Sequence, residues 1–224
     1  MATQAGVSTL LLRNVPLFAM LPADQLATIA SVASRKSFAR GATVIAAGEV
    51  GSTLYVVISG RLKVIMSNDA NREIILSLLG KGEYFGEMVP LDDNTRSASV
   101  ITLEPCELLV LSNQAFRKCL SENFEMAMTV MRCLVKRLRD ADRKIGSLAL
   151  MDVYGRVAQL LLEMSETIDG EQVVTRKIVK QDIANMIGAS REMVSRVMKD
   201  LQVRGLIDVR GKTTHLRDNI ANID

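Results

Sequence analysis

Residues 122–149 read ENFEMAMTVMRCLVKRLRDADRKIGSLA, with no proline and no glycine before Gly146. Phe124, Ala127, Met131, Leu134, Leu138, Ala141, Ile145 and Leu148 recur at steps of three and four, the heptad spacing of a helix with an apolar seam. About four heptads of seam call for another helix against them, and a parallel homodimer is the expected arrangement. Burial of the seam against the chain's own domain is the alternative. Arg137 and Asp142 fall on the flanks in this register, where a charge on one copy meets its opposite on the other.

On either side of this rod the chain changes character. Before it come short apolar runs and glycine turns; after it come short helices with a basic cluster. A length of 224 residues is enough for two modest domains with cores of their own. The expected division is a sensor domain over 1–121, a dimerisation helix over 122–149 and an effector domain over 150–224. No apolar run reaches the roughly 20 residues that span a bilayer, and no basic stretch precedes the first apolar residues, so neither a membrane nor a secretory signal is expected. Cys106, Cys119 and Cys133 are odd in number and lack metal-ligand spacing. They read as buried thiols in a reducing cytoplasm.

The net charge of +3 is small, but its distribution is uneven. Between Val174 and Arg217 stand Arg176, Lys177, Lys180, Arg191, Arg196, Lys199, Arg204, Arg210, Lys212 and Arg217 against Asp182, Glu192, Asp200 and Asp208, a local balance of +6. That is the footprint of a surface for a polyanion.

In the first half, residues 10–33 carry helical spacing, with Pro22 near a helix start and Leu26, Ile29 and Ala33 on one face. Then follow ATVIAAGE, STLYVVISG, RLKVIMSND, REIILSLLG, SASVITLE and CELLVLS, short runs separated by glycine, asparagine and aspartate. Alternation in Leu54, Val56 and Ile58, and again in Leu62 and Val64, predicts strands of a small antiparallel barrel or jelly roll. Gly41, Gly48, Gly51, Gly60, Gly80 and Gly82 mark turns or close approaches.

The chemistry concentrates in YFGEMVPLDDNTRSA, residues 84–98. The pattern Gly-Glu-hydrophobic followed by Arg-Ser-Ala resembles the phosphate-binding cassette of the cyclic-nucleotide-binding fold, in which a short helical loop follows the hydrophobic residue, here Met88. The ligand this implies, a cyclic phosphodiester, carries one negative charge, and a guanidinium can pair two of its oxygens with a fork of donors. Arg96 is then the candidate, with Ser97 as an added hydroxyl donor and Gly86 allowing close backbone approach. Glu87 suits a ribose hydroxyl.

The second half extends the resemblance. Asp152 is a plausible N-cap for VYGRVAQLLLEM, and SETIDGEQ reads as a polar loop. KQDIANMIGASREMVSRVMKDLQVRGLIDVRGKTTHL reads as helix 180–187, turn 188–190, helix 191–203 and two short strands around Arg210-Gly211-Lys212. Ile183, Ile187, Val194, Val197 and Leu201 form the inward face, and Ala184 leaves room between the helices. This is a winged helix-turn-helix. Val179 is a poor N-cap, an effect that Asp182 in the first turn offsets through the helix dipole. Ser190 caps the second helix, whose outward face carries Arg191, Glu192, Ser195, Arg196 and Lys199. Arginine can read guanine in the major groove and glutamate can accept from cytosine; Lys180 and Lys212 are placed for phosphates.

Cassette, rod and reading helix stand in the order of the bacterial cyclic-AMP receptor / fumarate-nitrate regulator family, which the chain resembles over nearly its whole length. The resemblance implies an α+β fold: a cyclic-nucleotide-binding β-jelly roll, a long dimerisation helix and a C-terminal winged helix-turn-helix. It implies a cytoplasmic homodimer bound to a pseudo-palindromic operator in double-stranded DNA, a cyclic nucleotide as allosteric effector, a hinge near residues 148–151, and contact with RNA polymerase through the 165–172 loop. Arg191, Glu192 and Arg196 match the family's Arg-Glu-x-x-x-Arg triplet, implying a TGTGA-like half-site; Glu192, Ser195 and Arg196 match the Glu-x-x-Ser-Arg of the branch that reads TTGAT-like sites.

Where relatives carry a Thr-Ser pair against the base, this chain has Ala141 and Asp142. Asp142 has two readings. It pairs with Arg137 of a second copy across the seam, or it accepts from the N1–H and N2–H₂ of guanine, which would favour cyclic GMP or cyclic di-GMP over cyclic AMP. No haem, iron–sulfur cluster or metal is expected, since the N-terminal cysteine cluster is missing and the single histidine, His215, falls in the wing. The alternatives are a DNA-binding regulator with a vestigial, nucleotide-independent pocket and, from another class, a cyclic-nucleotide phosphodiesterase. The latter would have one carboxylate, Glu87, and no metal partners.

Overall fold

A computed structural model of the chain describes residues 7–70, 72–175, 179–217 and 220. Two of the ten cations counted above, Arg176 and Lys177, lie outside the described residues. The chain divides into two compact units, Met1–Arg137 and Leu138–Asp224, and the division falls inside one continuous helix.

The first unit opens with helices α1 (Thr9–Arg13) and α2 (Ala23–Val32). Eight strands follow: β1 (Ser34–Phe38), β2 (Thr43–Ile45), β3 (Thr53–Ser59), β4 (Leu62–Ser67), β5 (Glu73–Leu79), β6 (Tyr84–Phe85), β7 (Ser99–Thr102) and β8 (Cys106–Ser112). The short helix α3 (Met88–Asp92) interrupts them between β6 and β7. All pairings are antiparallel, in two four-stranded sheets of order β1-β8-β3-β6 and β2-β7-β4-β5. Two sheets that share the chain alternately in this way are a jelly roll, which decides between the two sequence readings.

The alternation of Leu54 and Val56 accounts for one face of β3. Both faces are buried: Leu54 and Val56 pack under the helices with Phe18, Ile29 and Phe116, while Tyr55 and Val57 face the second sheet with Leu62 and Val100. β8 repeats the pattern, with Leu109 and Leu111 on the helix side and Leu108 and Val110 between the sheets. A sheet covered on both faces needs apolar residues at every position, so period two is lost from its central strands. β1 shows the reverse. SRKSF has no apolar period; it is a strand because its backbone pairs with β8, and the sequence runs did not include it.

Helix α4 (Asn113–Glu122), capped by Ser112, leads through the single residue Asn123 into α5 (Phe124–Leu150). Met126 and Val130 of α5 are buried in the helix-side core, with Cys133 and Leu134 packed against it. The seam is therefore out of phase with the heptad reading in its first half. Leu134 is half-buried in its own domain, and Val135 takes an exposed place beside Phe124 and Met131. Arg137 is not on an open flank either; it turns inward.

The second unit holds the end of α5, then α6 (Val153–Met164), capped by Asp152 through Gly155 N–H. SETIDGEQ is not a loop. It forms a hairpin of β9 (Glu166–Ile168) and β10 (Glu171–Val174) whose turn residues Asp169 and Gly170 both have positive φ, the geometry that Asp-Gly favours. Helices α7 (Lys180–Ile187) and α8 (Arg191–Val203) and strands β11 (Ile207–Arg210) and β12 (Thr213–Leu216) complete it. The sheet order is β11-β12-β10-β9, so the hairpin continues the wing. Ile183, Ile187, Val194 and Leu201 close on Val157 and Leu161 of α6, and Val179 makes no side-chain cap. Gly188 ends α7 in the left-handed region, with a Leu148 methyl of α5 next to it.

Because the β3/β8 sheet is buried on both sides, Leu108→Ala and Leu109→Ala should each destabilise the first unit by about 2–5 kcal/mol. Urea unfolding checks this; a strand with one wet face would tolerate one of the two.

Candidate functional site

Arg96 lies at the end of the 84–98 stretch, just before β7, and is buried, with 6% of its surface exposed. Its Nη1 donates to the Gly86 carbonyl at 2.8 Å and its Nη2 to the Thr53 carbonyl at 2.6 Å. Its backbone is tied to the 48–49 turn, through Arg96 N–H to Glu49 O and Gly48 N–H to Arg96 O. Burial pulls the guanidinium below its ordinary pKa, and Tyr55, Glu87 and Glu49 oppose that shift.

Glycines make room for it. A Cβ at Gly51 would fall on the guanidinium, and one at Gly86 would stand 2.6 Å from Nη1. Of the two sequence readings for Gly51, a turn or a close approach, the second holds; Gly86, expected to let backbone approach a phosphate, likewise leaves space for the Arg96 side chain.

Glu87 begins α3 and has 2% of its surface exposed. Its partner is Arg137, fifty residues on, at 2.5 Å, and Arg137 also donates to the Tyr84 carbonyl and lies over the Tyr84 ring, 5.4 Å from the centroid. Burial works against the Arg137 charge, but Glu87, Cys133 and Tyr84 outweigh it and hold the guanidinium above its ordinary value. The Tyr84 phenol is pushed up, by burial first and by Cys133 next. This corrects the flank reading of Arg137: it is committed to a carboxylate of its own domain, and pairing with Asp142 of a second copy loses its partner.

Met88 and Ser97 stand at the open side of the same stretch, the Ser97 hydroxyl 3.6 Å from the Met88 sulfur. Gly86, Glu87, Met88, Arg96 and Ser97 are thus brought together in the first unit. Ala141 and Asp142 are exposed residues of α5 in the second unit.

In the second unit Ser190 caps α8 by accepting from Met193 N–H. Arg191, Glu192, Arg196 and Lys199 are exposed along one side of α8, and Ser195 is half-buried among them. Among the described residues these four charged side chains have no ion-pair partner, in contrast to Arg204 with Asp200 and Arg210 with Asp208. Arg217 leans on Glu171 at 3.9 Å. The exposed Lys180 and Lys212 join the unpaired set. His215 is not a free surface residue; its Nδ1 meets Glu171 Oε2 at 2.9 Å, and that contact is the leading cause of the lowered Glu171 pKa. Among the described residues no three metal-binding side chains converge.

One unit thus holds a buried cation beside a buried, cation-held carboxylate, and the other a capped helix whose outward charged side chains have no ion-pair partner among the described residues. Residues 35–123 match the cyclic nucleotide-binding domain and residues 155–219 the Crp-like helix-turn-helix domain. The chain is 36% identical over 189 residues to the cAMP-activated global transcriptional regulator Vfr of Pseudomonas aeruginosa, covering 80% of this chain and 87% of that one. It is 39% identical over 178 residues to the cAMP-activated global transcriptional regulator CRP of Haemophilus influenzae, covering 76% and 78%. A solved structure of the c-di-GMP-responsive global regulator CLP of Xanthomonas campestris superposes with a TM-score of 0.74 at 31% identity, covering 87% of this chain and 99% of that one. The chain belongs to the CRP/FNR family of transcription regulators.

Adding a methyl group beside Arg96 tests the cradle. Gly51→Ala should cost about 1–3 kcal/mol by overpacking, and most of that cost should vanish in an Arg96→Ala background. A double-mutant cycle on urea stability measures the difference.

Proposed function

We propose that the chain is a homodimeric, sequence-specific DNA-binding regulator controlled by a cyclic nucleotide in its N-terminal domain. The observation that carries this reading is Arg96, a buried guanidinium whose plane is set by two main-chain carbonyls beside the buried Glu87. In this reading Arg96 and Ser97 take the cyclic phosphate, Glu87 the ribose hydroxyl, and Gly86 and Met88 shape the cradle. Residues 1–121 sense, 122–149 dimerise and 150–224 read DNA.

Dimerisation is supported by the exposed apolar residues of α5: Phe124, Met131 and Val135 in the first unit, and Leu138 (62% exposed), Ile145 and Leu148 in the second. A stripe of this kind marks an interaction surface. Ala127 and Leu134 contribute less than the heptad reading implies, because they are half-covered by their own unit. Ala141 completes the stripe.

The effector is one of cyclic AMP, cyclic GMP and cyclic di-GMP. Relatives activated by cAMP and a structural neighbour responsive to c-di-GMP fall on both sides of that choice, and Asp142 in place of a hydroxyl favours guanine. A second reading, a nucleotide-independent regulator, is favoured by one observation: Glu87 already has Arg137, and Arg96 already has two carbonyls. Calorimetric titration with the three nucleotides tests the choice; heat of binding from none of them would leave only the second reading.

On DNA, Arg191, Glu192 and Arg196 are assigned to base edges, with Ser195 and Lys199 beside them. Lys180, Ser190 and Lys212 are assigned to the backbone, and the β9–β10 hairpin to RNA polymerase. Arg196→Ala should cost about 1–3 kcal/mol at one base pair of the operator. Lys212→Ala should weaken binding to every sequence alike and reduce the salt slope. Mobility shifts on operator variants at fixed salt separate the two. Leu138→Glu should turn the dimer into monomers on gel filtration.

A further inference from the structure

Helix α3 has five residues, too few to hold itself by internal hydrogen bonds. It is held from outside at both ends. At its start Glu87 takes Arg137 of α5. At its end Arg117 of α4 donates from Nε to the Pro90 carbonyl at 2.6 Å and pairs through Nη2 with Asp93. Asp93 is the C-cap of α3, in the left-handed region at φ 55, with its N–H on the Val89 carbonyl. Both the main chain and the cap of α3 are therefore fastened to one side chain of α4.

Arg117 follows Phe116, which is fully buried in the helix-side core and seats α4. Beyond Glu122, Asn123 alone separates α4 from α5, and it belongs to both. Its N–H closes on Cys119 O in α4, and its Oδ1 accepts from Met126 N–H in the first turn of α5. A shift of α3 reaches α4 through Arg117, and a shift of α4 reaches α5 through one residue. The ion pair itself is exposed on both sides, and such pairs contribute little to folding. Its geometry is nevertheless specific, because a guanidinium fork bridges two acceptors in fixed directions.

We propose that Arg117 is a positioning residue, touching neither ligand nor DNA, that ties the cassette helix to α4 and converts the cassette's position into a position of α5. The proposal rests on the cassette being a cyclic-nucleotide site. In it, occupancy that moves α3 against Arg96 and Glu87 is passed to the rod by two arginines, Arg137 directly and Arg117 by way of α4.

The test uses the full-length protein and three variants, Arg117→Ala, Arg117→Lys and Asp93→Asn. Operator affinity is measured by fluorescence anisotropy without nucleotide and with cyclic AMP, cyclic GMP or cyclic di-GMP at saturation. Amide hydrogen exchange over 88–93 and thermal unfolding accompany it. The unsubstituted protein should gain operator affinity by roughly 5–150-fold on saturation. Arg117→Ala should cut that gain to about twofold or less and speed exchange over 88–93. Its melting temperature should move by no more than about 2 °C. Arg117→Lys, which keeps one contact of two, and Asp93→Asn, which keeps the left-handed cap without the charge, should fall between. An undiminished gain at saturation in Arg117→Ala overturns the proposal, whatever happens to stability or nucleotide affinity, since a merely structural contact would alter those alone. An unsubstituted protein that binds none of the three nucleotides overturns the cassette reading and this coupling with it. The two failures are distinct, because loss of the strap alone leaves the unsubstituted protein's response intact.

Discussion

A carboxylate with 2% of its surface exposed needs a partner in a protein interior, and Glu87 is such a carboxylate. The neutralising charge is Arg137, fifty positions further along the chain. Removing Arg137 strands the buried Glu87 charge, while an apolar pair of the same size can be equally stable. What the ion pair adds is therefore less stability than address. It fixes which side of α5 faces the jelly roll, and Met126, Val130 and Cys133 follow Arg137 to the inside. The outward side of the helix is then set as well, so the phase of the exposed stripe is a consequence of where one buried acid found its base.

That dependence explains which parts of the molecule were legible in the sequence. The helix-turn-helix was legible to its boundaries, because its signals are local: an apolar period, a glycine in the left-handed region, and a serine cap. Most strands were legible for the same reason, and the cassette was recognised from its own residues. The phase of α5 was not, since a heptad pattern fits two faces of a helix that packs on its own domain and carries a second apolar stripe. The contact between residues 87 and 137, together with the burial of Met126 and Val130, chooses between them. β1 was missed because SRKSF is a strand by pairing and not by composition, and the β9–β10 hairpin was missed although Asp169-Gly170 is a strong local turn signal.

Arg96 illustrates a different kind of hidden information. The residue type alone suggests an anion binder, the role proposed for it, but its setting depends on two glycines far apart in sequence whose missing side chains define its space. A guanidinium already oriented by two main-chain carbonyls loses little further freedom when an anion arrives, which favours binding without adding a contact. The same bonds also satisfy the group when no anion is present. In the proposed reading one arrangement of Arg96 therefore serves with and without a bound anion.

Cations among the described residues illustrate three physical classes, and bulk charge separates none of them. Arg96 and Arg137 are covered and tied to carbonyls or a carboxylate, so their charge is used inside the fold. Arg204 and Arg210 are exposed but neutralised by Asp200 and Asp208, with Arg204 also over the Tyr154 ring, and they add little field at a distance. Lys180, Arg191, Arg196, Lys199 and Lys212 are exposed without an acid in reach among the described residues, so their field extends into solvent. A polyanion approaching the second unit is attracted by the last class alone. The +6 counted over residues 174–217 therefore overstates some contributors and conceals the point that matters, which is that the unpaired charges are the ones on and around α8. Glu192 among them is not a flaw in a basic surface. In the proposed reading, a single acceptor in a row of donors discourages indiscriminate phosphate binding at that position and rewards a base edge that can donate.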